Sequence, residues 1–479
     1  MKNLLATASP AHVAAAGSRA RYLTGAIFLA YCLYLPFSGY REMVYDALNY
    51  WTLTERFFHD GRFQLLSYND ALRGYFLPLL NLPAKAIAHF THVEPLVLTR
   101  LMGAAWAALL FGWVAPALWL RLFPRHHLGW GPRVAFAALG FLFWRDYFNF
   151  VLSDFPALLA VLLSLLLALR PPSLGRTILV GACFMAAYNI RPVYLLAAPA
   201  VLGLVVVAAL HARQPLTAVL GLALGCSLVS GPQLLMNGQH HGTWTPLVLS
   251  RDARLPTANL YLAQLGWGLV VQKYETSLDP EFPSPRMLYT DPAGQALLQR
   301  QAIRHFTSYA DYGAAVLREP LTFAGLYARH LFNGLDVQYP TLFVRAVAHR
   351  SVLLSGLQYS VWFAALLVAG SWLAAPGKRP RLRPGLVVAA LLLPCLASLP
   401  IATECRFLLP LHVLLYAVAC FGGAQWLGPP RHYSPRMALL LAGYGLFLGL
   451  CFTVSARTLS HLTHDVTVLA PLGGAEAQP

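Results

Sequence analysis

The chain has 479 residues, of which 57% are hydrophobic and only 11% are charged. A soluble domain carries about 25% charged residues, so this composition leaves too little charge to coat a water-soluble surface and excludes an ordinary soluble enzyme. The formal net charge of +16 would suggest nucleic-acid binding in a soluble protein, but here the positions of the cations indicate membrane orientation, and no nucleic-acid partner is expected.

Apolar runs close to the ~20 residues needed to span hydrocarbon recur along the chain. They predict an all-α, polytopic integral membrane protein of about eleven transmembrane helices, with exterior juxtamembrane helices and a mostly helical exterior segment. The predicted spans are residues 22–39, 97–120, 134–148, 153–169, 177–190, 192–210, 216–234, 352–374, 385–402, 407–427 and 437–455. A further apolar segment, 74–90, is interrupted by Pro78, Pro83 and Lys85, and we place it at the exterior surface.

The positive-inside rule sets the orientation of these spans. The cytoplasmic stretches hold fifteen Lys and Arg and no Asp or Glu when 74–90 is kept outside. These stretches are 1–21, 121–133, 170–176, 211–215, 375–384 and 428–436. We therefore expect a multi-pass protein of a bacterial plasma (inner) membrane, with a cytoplasmic amino terminus and a periplasmic or extracellular working face.

This orientation divides the chain into three parts. A transmembrane module, 1–234, includes a first exterior loop, 40–96; an exterior segment follows at 235–350, and a second transmembrane module at 351–479. The cytoplasmic loops are short and no GxxxxGK[ST] phosphate loop occurs, which argues against an ATP-driven pump and against a nucleotide cofactor. Chemistry is therefore expected on the exterior face.

Two carboxylates lie where exterior loops meet predicted helices. Asp46 belongs to the aromatic-rich stretch VYDALNYW, whose near-helical spacing predicts an amphipathic helix at the membrane interface. Asp154 opens the long apolar run LSDFPALLAVLLSLL, where Ser153 could cap the helix. Each has a purely structural alternative, because a carboxylate near a helix amino terminus is stabilised by the helix dipole, typically by about 1 kcal/mol.

Three arginines lie at the exterior ends of predicted spans. They are Arg73 in LRGYFLP, Arg191 in NIRPVYLL and Arg406 in TECRFLLPLH. The planar guanidinium donates two parallel hydrogen bonds to a phosphate or a carboxylate, so these positions are candidate phosphate-binding sites. The alternative is local pairing or snorkelling, for instance of Arg406 with Glu404.

Taken in order, several of these stretches resemble the C-fold glycosyltransferases (GT-C), particularly the bacterial branch with the protein mannosyltransferase and aminoarabinose transferase families. The resemblance covers nearly the full chain. Its elements are VYDALNYWTLTERFFHDGRF, LRGYFLPLL, LSDFPALLAVLLSLL, NIRPVYLLAAPAVL, GPQLLMNGQHHGTW and ECRFLLPLHVLL. The acidic motif of the family's first loop falls on Asp46 and its second acidic position on Asp154; Ala47 stands where the family often has a second acid.

The resemblance implies a membrane glycosyltransferase that moves a sugar from a polyprenyl-phosphate-linked donor to a lipid, glycan or protein acceptor, with inversion at the anomeric carbon. Asp46 would be the general base, and Arg73, Arg191 and Arg406 would bind the leaving phosphate. Asp154 would orient the acceptor or, with Asp46, hold a divalent metal ion, which is left open as a cofactor.

Three other functions remain open from the sequence. A flippase or transporter of lipid-linked saccharides would need charged or broken helices near the middle of the membrane, whereas the predicted spans are almost free of internal charge. A polymerase or ligase of such saccharides would act on the same face. A non-catalytic membrane scaffold is the fourth reading.

Overall fold

The computed structural model describes residues 10–255, 257–374, 382–423 and 435–472. The predicted cytoplasmic stretches 375–384 and 428–436 therefore lie largely outside the described residues, as do positions 1–9 and the end of the predicted span 407–427. The described chain is predominantly helical. Its α-helices, in order, are α1 Pro10–Tyr34, α2 Tyr45–Thr52, α3 Phe76–Thr91, α4 Pro95–Ala107, α5 Ala115–Leu122, α6 Trp130–Trp144, α7 Asp154–Ala168, α8 Leu174–Ile190, α9 Ala198–Ala212, α10 Pro215–His241, α11 Leu260–Val270, α12 Pro292–Arg300, α13 Tyr309–Arg318, α14 Pro320–Leu335, α15 Val352–Ala374, α16 Leu382–Ser398, α17 Leu409–Ala417 and α18 Pro435–Leu459.

Seven helical segments among the described residues are long and apolar enough to cross a membrane. They are Ala20–Phe37, Pro95–Leu122, Pro192–Ala212, Pro215–His241, Val352–Ala374, Cys405–Gly422 and Met437–Leu459. Each coincides with a predicted span, so the chain is a predominantly helical membrane protein. The segment Pro95–Leu122 stays continuous because a π-helical turn joins α4 to α5.

The other four predicted spans fall on shorter helices. These are α6, α7, α8 and α16, which have only 15 to 17 residues each. A helix of 15 residues is about 22 Å long, less than the ~30 Å hydrocarbon core. Helix α7 is buried along nearly its whole length and packs against α8, so its apolar composition reflects the protein core. An apolar stretch of sequence alone does not show whether a helix is surrounded by protein or by lipid.

Short strands add an element that the sequence analysis did not predict. They are β1 Phe58–His59, β2 Arg62–Phe63, β3 Val271–Ser277, β4 Arg286–Thr290, β5 Phe343–Val344 and β6 Leu462–Thr463. The last four form one sheet in the order β5-β3-β4-β6. The described chain has little strand and is consistent with the predicted all-α membrane fold, and the sheet is a local feature that was not predicted. Its strands β5 and β6 are two residues long and form only against distant partners.

Helix α3 covers the segment 74–90 that was placed outside the membrane. It has 16 residues, contains Pro83, and is not among the seven long apolar segments found in the described residues. It begins beside the end of α8, where the Phe76 backbone N–H donates to Oδ1 of Asn189 at 2.8 Å. Glycine is required just before it, since a Cβ on Gly74 would overlap the Asn189 carbonyl.

The first loop, the 235–350 segment and the residues after α18 lie together at one end of the molecule. Tyr40 donates to the Phe343 carbonyl at 2.9 Å, and β6 pairs with β4 in an antiparallel ladder. His240, at the end of α10, is hydrogen-bonded to the Leu66 carbonyl at 2.7 Å. We call this end the sheet face; it carries the cavity described next.

Candidate active site

A cavity of about 440 Å³ opens at the sheet face. Its walls come from α2, the loop before α3, the ends of α8 and α16, the β3–β4 hairpin and α11. Four of the five predicted site residues line it: Asp46, Arg73, Arg191 and Arg406. The fifth, Asp154, lies directly behind this wall and contacts both Arg191 and Arg406. Side chains from distant parts of the sequence therefore meet at one site.

Asp46 is the carboxylate that opens to the cavity. It lies in the first turn of α2 and its side chain is 35% exposed. The preceding Tyr45 has a φ of +48°, a left-handed conformation that costs a non-glycine residue on the order of 1–3 kcal/mol. This bend leads the extended Val44 into the helix, with both Tyr45 and Asp46 facing the cavity.

Arg406 joins three carboxylates. Its Nη2 donates to Oδ2 of Asp46 at 3.0 Å, while Nε and Nη2 donate to the two oxygens of Glu404 at 2.6 and 3.1 Å. Its Nη1 lies 3.7 Å from Oδ2 of Asp154. Both interpretations of Arg406 thus hold geometrically, because it forms the local pair with Glu404 and also reaches the two predicted acids.

Asp154 is held inside the protein by arginines. Only 1% of its side chain is exposed, and it forms an ion pair with Arg191, whose guanidinium lies 4.9 Å from the Phe407 ring centre. A carboxylate buried this deeply is strongly destabilising without charged partners. The prediction that Ser153 caps α7 was wrong: its side chain makes no capping bond and its Oγ instead accepts a 3.4 Å hydrogen bond from Tyr50.

Arg73 differs from the other two arginines because its charge is not paired. Within the described residues no carboxylate oxygen lies within 4.0 Å of its guanidinium, which is placed 5.5 Å from the Tyr50 ring centre. Its backbone N–H is fixed by a 2.6 Å bond to Oδ1 of Asp70. The guanidinium donors of Arg73 are therefore available to a ligand in the cavity.

The local field keeps Asp46 ionised. Burial raises the pKa of this carboxyl, but the positive charges of Arg406 and Arg73, with a smaller contribution from Arg191, outweigh burial and hold the pKa below its usual value of 3.8. The group is thus an acceptor at neutral pH. An anion that bound to these arginines would offset their charge and make Asp46 more basic.

Asp46, Asp154, Glu404, Arg73, Arg191 and Arg406 form a charged cluster at this cavity. The rest of the lining is of two chemical kinds, which we call the polar arm and the apolar arm. The polar arm presents hydroxyl, amide and aromatic groups, from Tyr45, Asn49, Tyr274, Thr276 and Phe343. The apolar arm is lined mainly by hydrophobic side chains, among them Val193, Leu260, Trp267, Ile401, Phe407 and Leu469. A ligand that fills the whole cavity would therefore combine an anionic group with a polar part and an apolar part.

The predicted pair of metal ligands does not fit a shared ion. Arg406 lies between Asp46 and Asp154, and the Asp154 oxygens face two guanidinium groups. A divalent cation there would meet a fixed positive charge between its two proposed ligands. The described residues contain no group of three or more His, Cys, Asp or Glu that could hold a metal ion.

Sequence reasoning missed several residues of the cavity. Glu404 was considered only as a partner that would neutralise Arg406, and the β3 residues Tyr274 and Thr276 were not considered at all. The alternation in VQKYETS was a usable signal, since it places Tyr274 and Thr276 on the opposite side of a strand from Lys273 and Glu275.

No family model, curated protein or solved structure matches this chain. The geometry of the cavity therefore carries the functional argument.

Proposed function

We propose that the protein is a membrane glycosyltransferase that moves a sugar from a polyprenyl-phosphate-linked donor to an acceptor at the sheet face. The observation that carries this proposal is one cavity that combines an ionised, partly exposed Asp46, an unpaired Arg73 and an apolar arm. A lipid-linked sugar phosphate has the matching parts: a negative charge, a hydroxyl-rich ring and a hydrocarbon chain.

The arginines provide the electrostatic part of the mechanism. The leaving phosphate gains negative charge as its bond to the anomeric carbon breaks, and preorganised donors stabilise that charge most in a site that excludes water. Arg73 has free donors, and Arg406 and Arg191 stand beside it on the same wall. Asp154 and Glu404 hold the two latter guanidinium groups in place, which makes them positioning residues.

Asp46 provides the proton acceptor. The acceptor hydroxyl or amine attacks the anomeric carbon, the bond from that carbon to the phosphate oxygen breaks, and the proton of the acceptor passes to Asp46. A single displacement of this kind inverts the anomeric centre. The bound donor phosphate partly neutralises the positive charges of Arg406 and Arg73. Donor binding therefore raises the pKa of Asp46 and makes it a stronger base for the transfer step.

The apolar arm suits the lipid chain of the donor. It includes Val193, at the start of the membrane-length segment Pro192–Ala212, and Ile401, in the loop that precedes the segment Cys405–Gly422. Burying apolar surface of a chain contributes roughly 0.8 kcal/mol for each methylene group. The lipid can therefore enter sideways from the bilayer, which agrees with a cavity that opens next to helices rather than inside a soluble domain.

The same proposal includes the finer topology. Eleven spans, an amino terminus in the cytoplasm and a periplasmic or extracellular sheet face of a bacterial inner membrane would put the charged cavity opposite the Lys- and Arg-rich loops. The support is the distribution of charge in the sequence, together with the grouping of the first loop and the 235–350 segment at one end.

The proposal is tested with purified protein in lipid nanodiscs. Undecaprenyl-phosphate-linked glucose, mannose, N-acetylglucosamine and aminoarabinose are supplied one at a time with extracted bacterial lipids and cell-envelope glycans, and released undecaprenyl phosphate is measured by mass spectrometry. We expect release from at least one donor, and loss of that release in Asp46→Asn. If no donor is consumed and bare undecaprenyl phosphate does not bind, the proposed function is wrong.

A further inference from the structure

One amide in the polar arm has no partner in the protein. Among the asparagines that the structure describes, Asn49 alone has a side chain without a hydrogen bond to another residue. The other seven all have partners: the buried Asn81, Asn149, Asn189, Asn237 and Asn333 and the less buried Asn69 and Asn259. An amide has two donors and an acceptor, so Asn49 keeps its full capacity for a ligand in the cavity.

Asn49 stands next to the reacting group. It follows Asp46 by three residues on α2, and both side chains line the cavity. Side chains three residues apart on a helix have Cβ atoms about 5–6 Å apart, roughly the width of a pyranose ring. A sugar whose phosphate lies against Arg406 and Arg73 would therefore extend along this face of α2 toward Asn49.

Tyr45 and residues of strands β3 and β5 complete the polar arm. Tyr45 is held in its left-handed conformation with its ring 5.6 Å from that of Phe343, edge to face. Phe343 belongs to β5 and pairs with Thr276 of β3, so Thr276 and Tyr274 line the cavity on the same face of the sheet as Phe343. Aromatic surface beside amide and hydroxyl groups suits a neutral ring that carries both C–H and O–H groups.

We propose that Asn49 and Tyr45 form a subsite that reads the hydroxyl groups of the donor sugar, with the Asn49 amide hydrogen-bonded to a ring hydroxyl. This inference rests on the proposed function and deepens it, because it names the part of the cavity that distinguishes a glycosylated lipid from the bare lipid phosphate. Asn49 determines specificity here; the charge of the phosphate is met by the arginines.

The test compares two lipids in two variants. Affinities of undecaprenyl phosphate and of the undecaprenyl-phosphate-linked glucose, mannose and N-acetylglucosamine are measured for the protein in nanodiscs. Asn49→Ala should reduce the preference for the best glycosylated lipid about five- to tenfold, the worth of one neutral hydrogen bond, and leave the affinity for the bare lipid unchanged. Alanine favours the helix, so α2 should stay folded.

Leu48→Ala is the matched control, because Leu48 lies on the same helix, is 46% exposed and does not line the cavity. It should leave both affinities unchanged. An unaltered preference in Asn49→Ala would overturn the subsite, and so would an equal loss of affinity for both lipids, since that would indicate a packing role. If the wild type bound the bare lipid but preferred no sugar, the subsite alone would be wrong; if it bound neither, the proposed function would be wrong as well.

Discussion

Two groups of charged side chains lie on opposite sides of strand β3. On one side, Tyr274 and Thr276 face the cavity with its charged cluster. On the other side, Lys273 and Glu275 form a buried ion pair at 3.3 Å, next to Asp336. We call the second group the buried network. Charged side chains thus occur in two different settings, one at the cavity and one in the protein interior, on the two sides of a single strand.

The two groups differ in how completely their polar atoms are satisfied. In the buried network, the Asp336 carboxylate accepts hydrogen bonds from Tyr359, Ser455 and Gln338 at 2.7 to 2.9 Å, and its side chain is fully buried. In the charged cluster, Asp46 is partly exposed and Arg73 is unpaired within the described residues. Buried charge alone therefore does not identify a functional site; unused binding capacity that faces a cavity does.

The largest effect should come from Asp46→Asn. Removing the general base should lower the rate of sugar transfer by about 10³-fold, equivalent to ~4 kcal/mol in the barrier. Arg406 keeps Glu404 as a partner, so expression and thermal stability should change little. The matched control is Asp60→Asn, since Asp60 is 87% exposed in a loop. Undiminished transfer by Asp46→Asn would remove this residue from the mechanism.

Asp336→Ala should show the opposite behaviour. Three buried donors lose their common acceptor, so the free energy of unfolding should fall by about 3 kcal/mol, measured by thermal or denaturant unfolding in detergent. The activity of the fraction that stays folded should be retained, because Asp336 does not line the cavity. Exposed Glu281→Ala is the control. Unaltered stability with lost transfer would reverse the assignment of the two groups.

Variants of Arg73 and Arg191 should distinguish the residues of the charged cluster that only bind the ligand from those that also stabilise the fold. Arg73→Gln should weaken the binding of undecaprenyl phosphate about tenfold, because hydrogen bonds to charged groups contribute roughly 1.5–3 kcal/mol, and should leave the unfolding temperature unchanged. Arg191→Gln should also destabilise the fold, since it removes a partner of the buried Asp154. Equal stability losses in both variants would contradict the description of Arg73 as unpaired.

The pH dependence of transfer should show how the neighbouring arginines affect the pKa of Asp46. Because its folded-state pKa lies below 3.8, the stability that its charge contributes is complete above the unfolded pKa and is lost only as the pH falls through the depressed folded value. The kcat/KM of transfer, which reports the free enzyme, should therefore not fall through titration of Asp46 between pH 7 and 5. Arg406→Gln should move the acidic limb of the pH–rate profile upward. An unmoved limb would show that Arg406 does not control this carboxyl.

The smallest expected effect is that of a chelator. Incubation with EDTA should leave both transfer and donor binding unchanged, because Arg406 occupies the space between the two acids that were considered as metal ligands. Magnesium or manganese added back serves as the control. Loss of transfer with EDTA and its recovery with one of these ions would show that Asp46 or Asp154 acts as a ligand after all.

The sequence could predict the features that a membrane environment requires, namely long apolar helices with polar residues at their ends. Long apolar runs located seven of the helices, and polar residues at their ends located Asp46, Arg73, Arg191 and Arg406. The four shorter helices could not be told from full spans, because a helix enclosed by protein is as apolar as one in lipid. Only the resemblance indicated that these residues act together, and the structure supplies the distances between them.

The details that escaped prediction depend on contacts between distant residues. Strands β5 and β6 have too few residues to show a periodic pattern and form through pairing with β3 and β4. The left-handed Tyr45 has no local sequence signal, since neither glycine nor asparagine occupies that position. The free amide of Asn49 stands out only in the folded structure, where the other asparagines among the described residues have hydrogen-bond partners.

The ion pair between Asp46 and Arg406 connects residues 360 positions apart. During synthesis, the ribosome must therefore add most of the chain before Asp46 can meet the guanidinium of Arg406. The ladder between β4 and β6 imposes a similar delay, because its second strand follows the last long apolar helix. A partly inserted polypeptide thus lacks the complete cavity until translation has passed this helix.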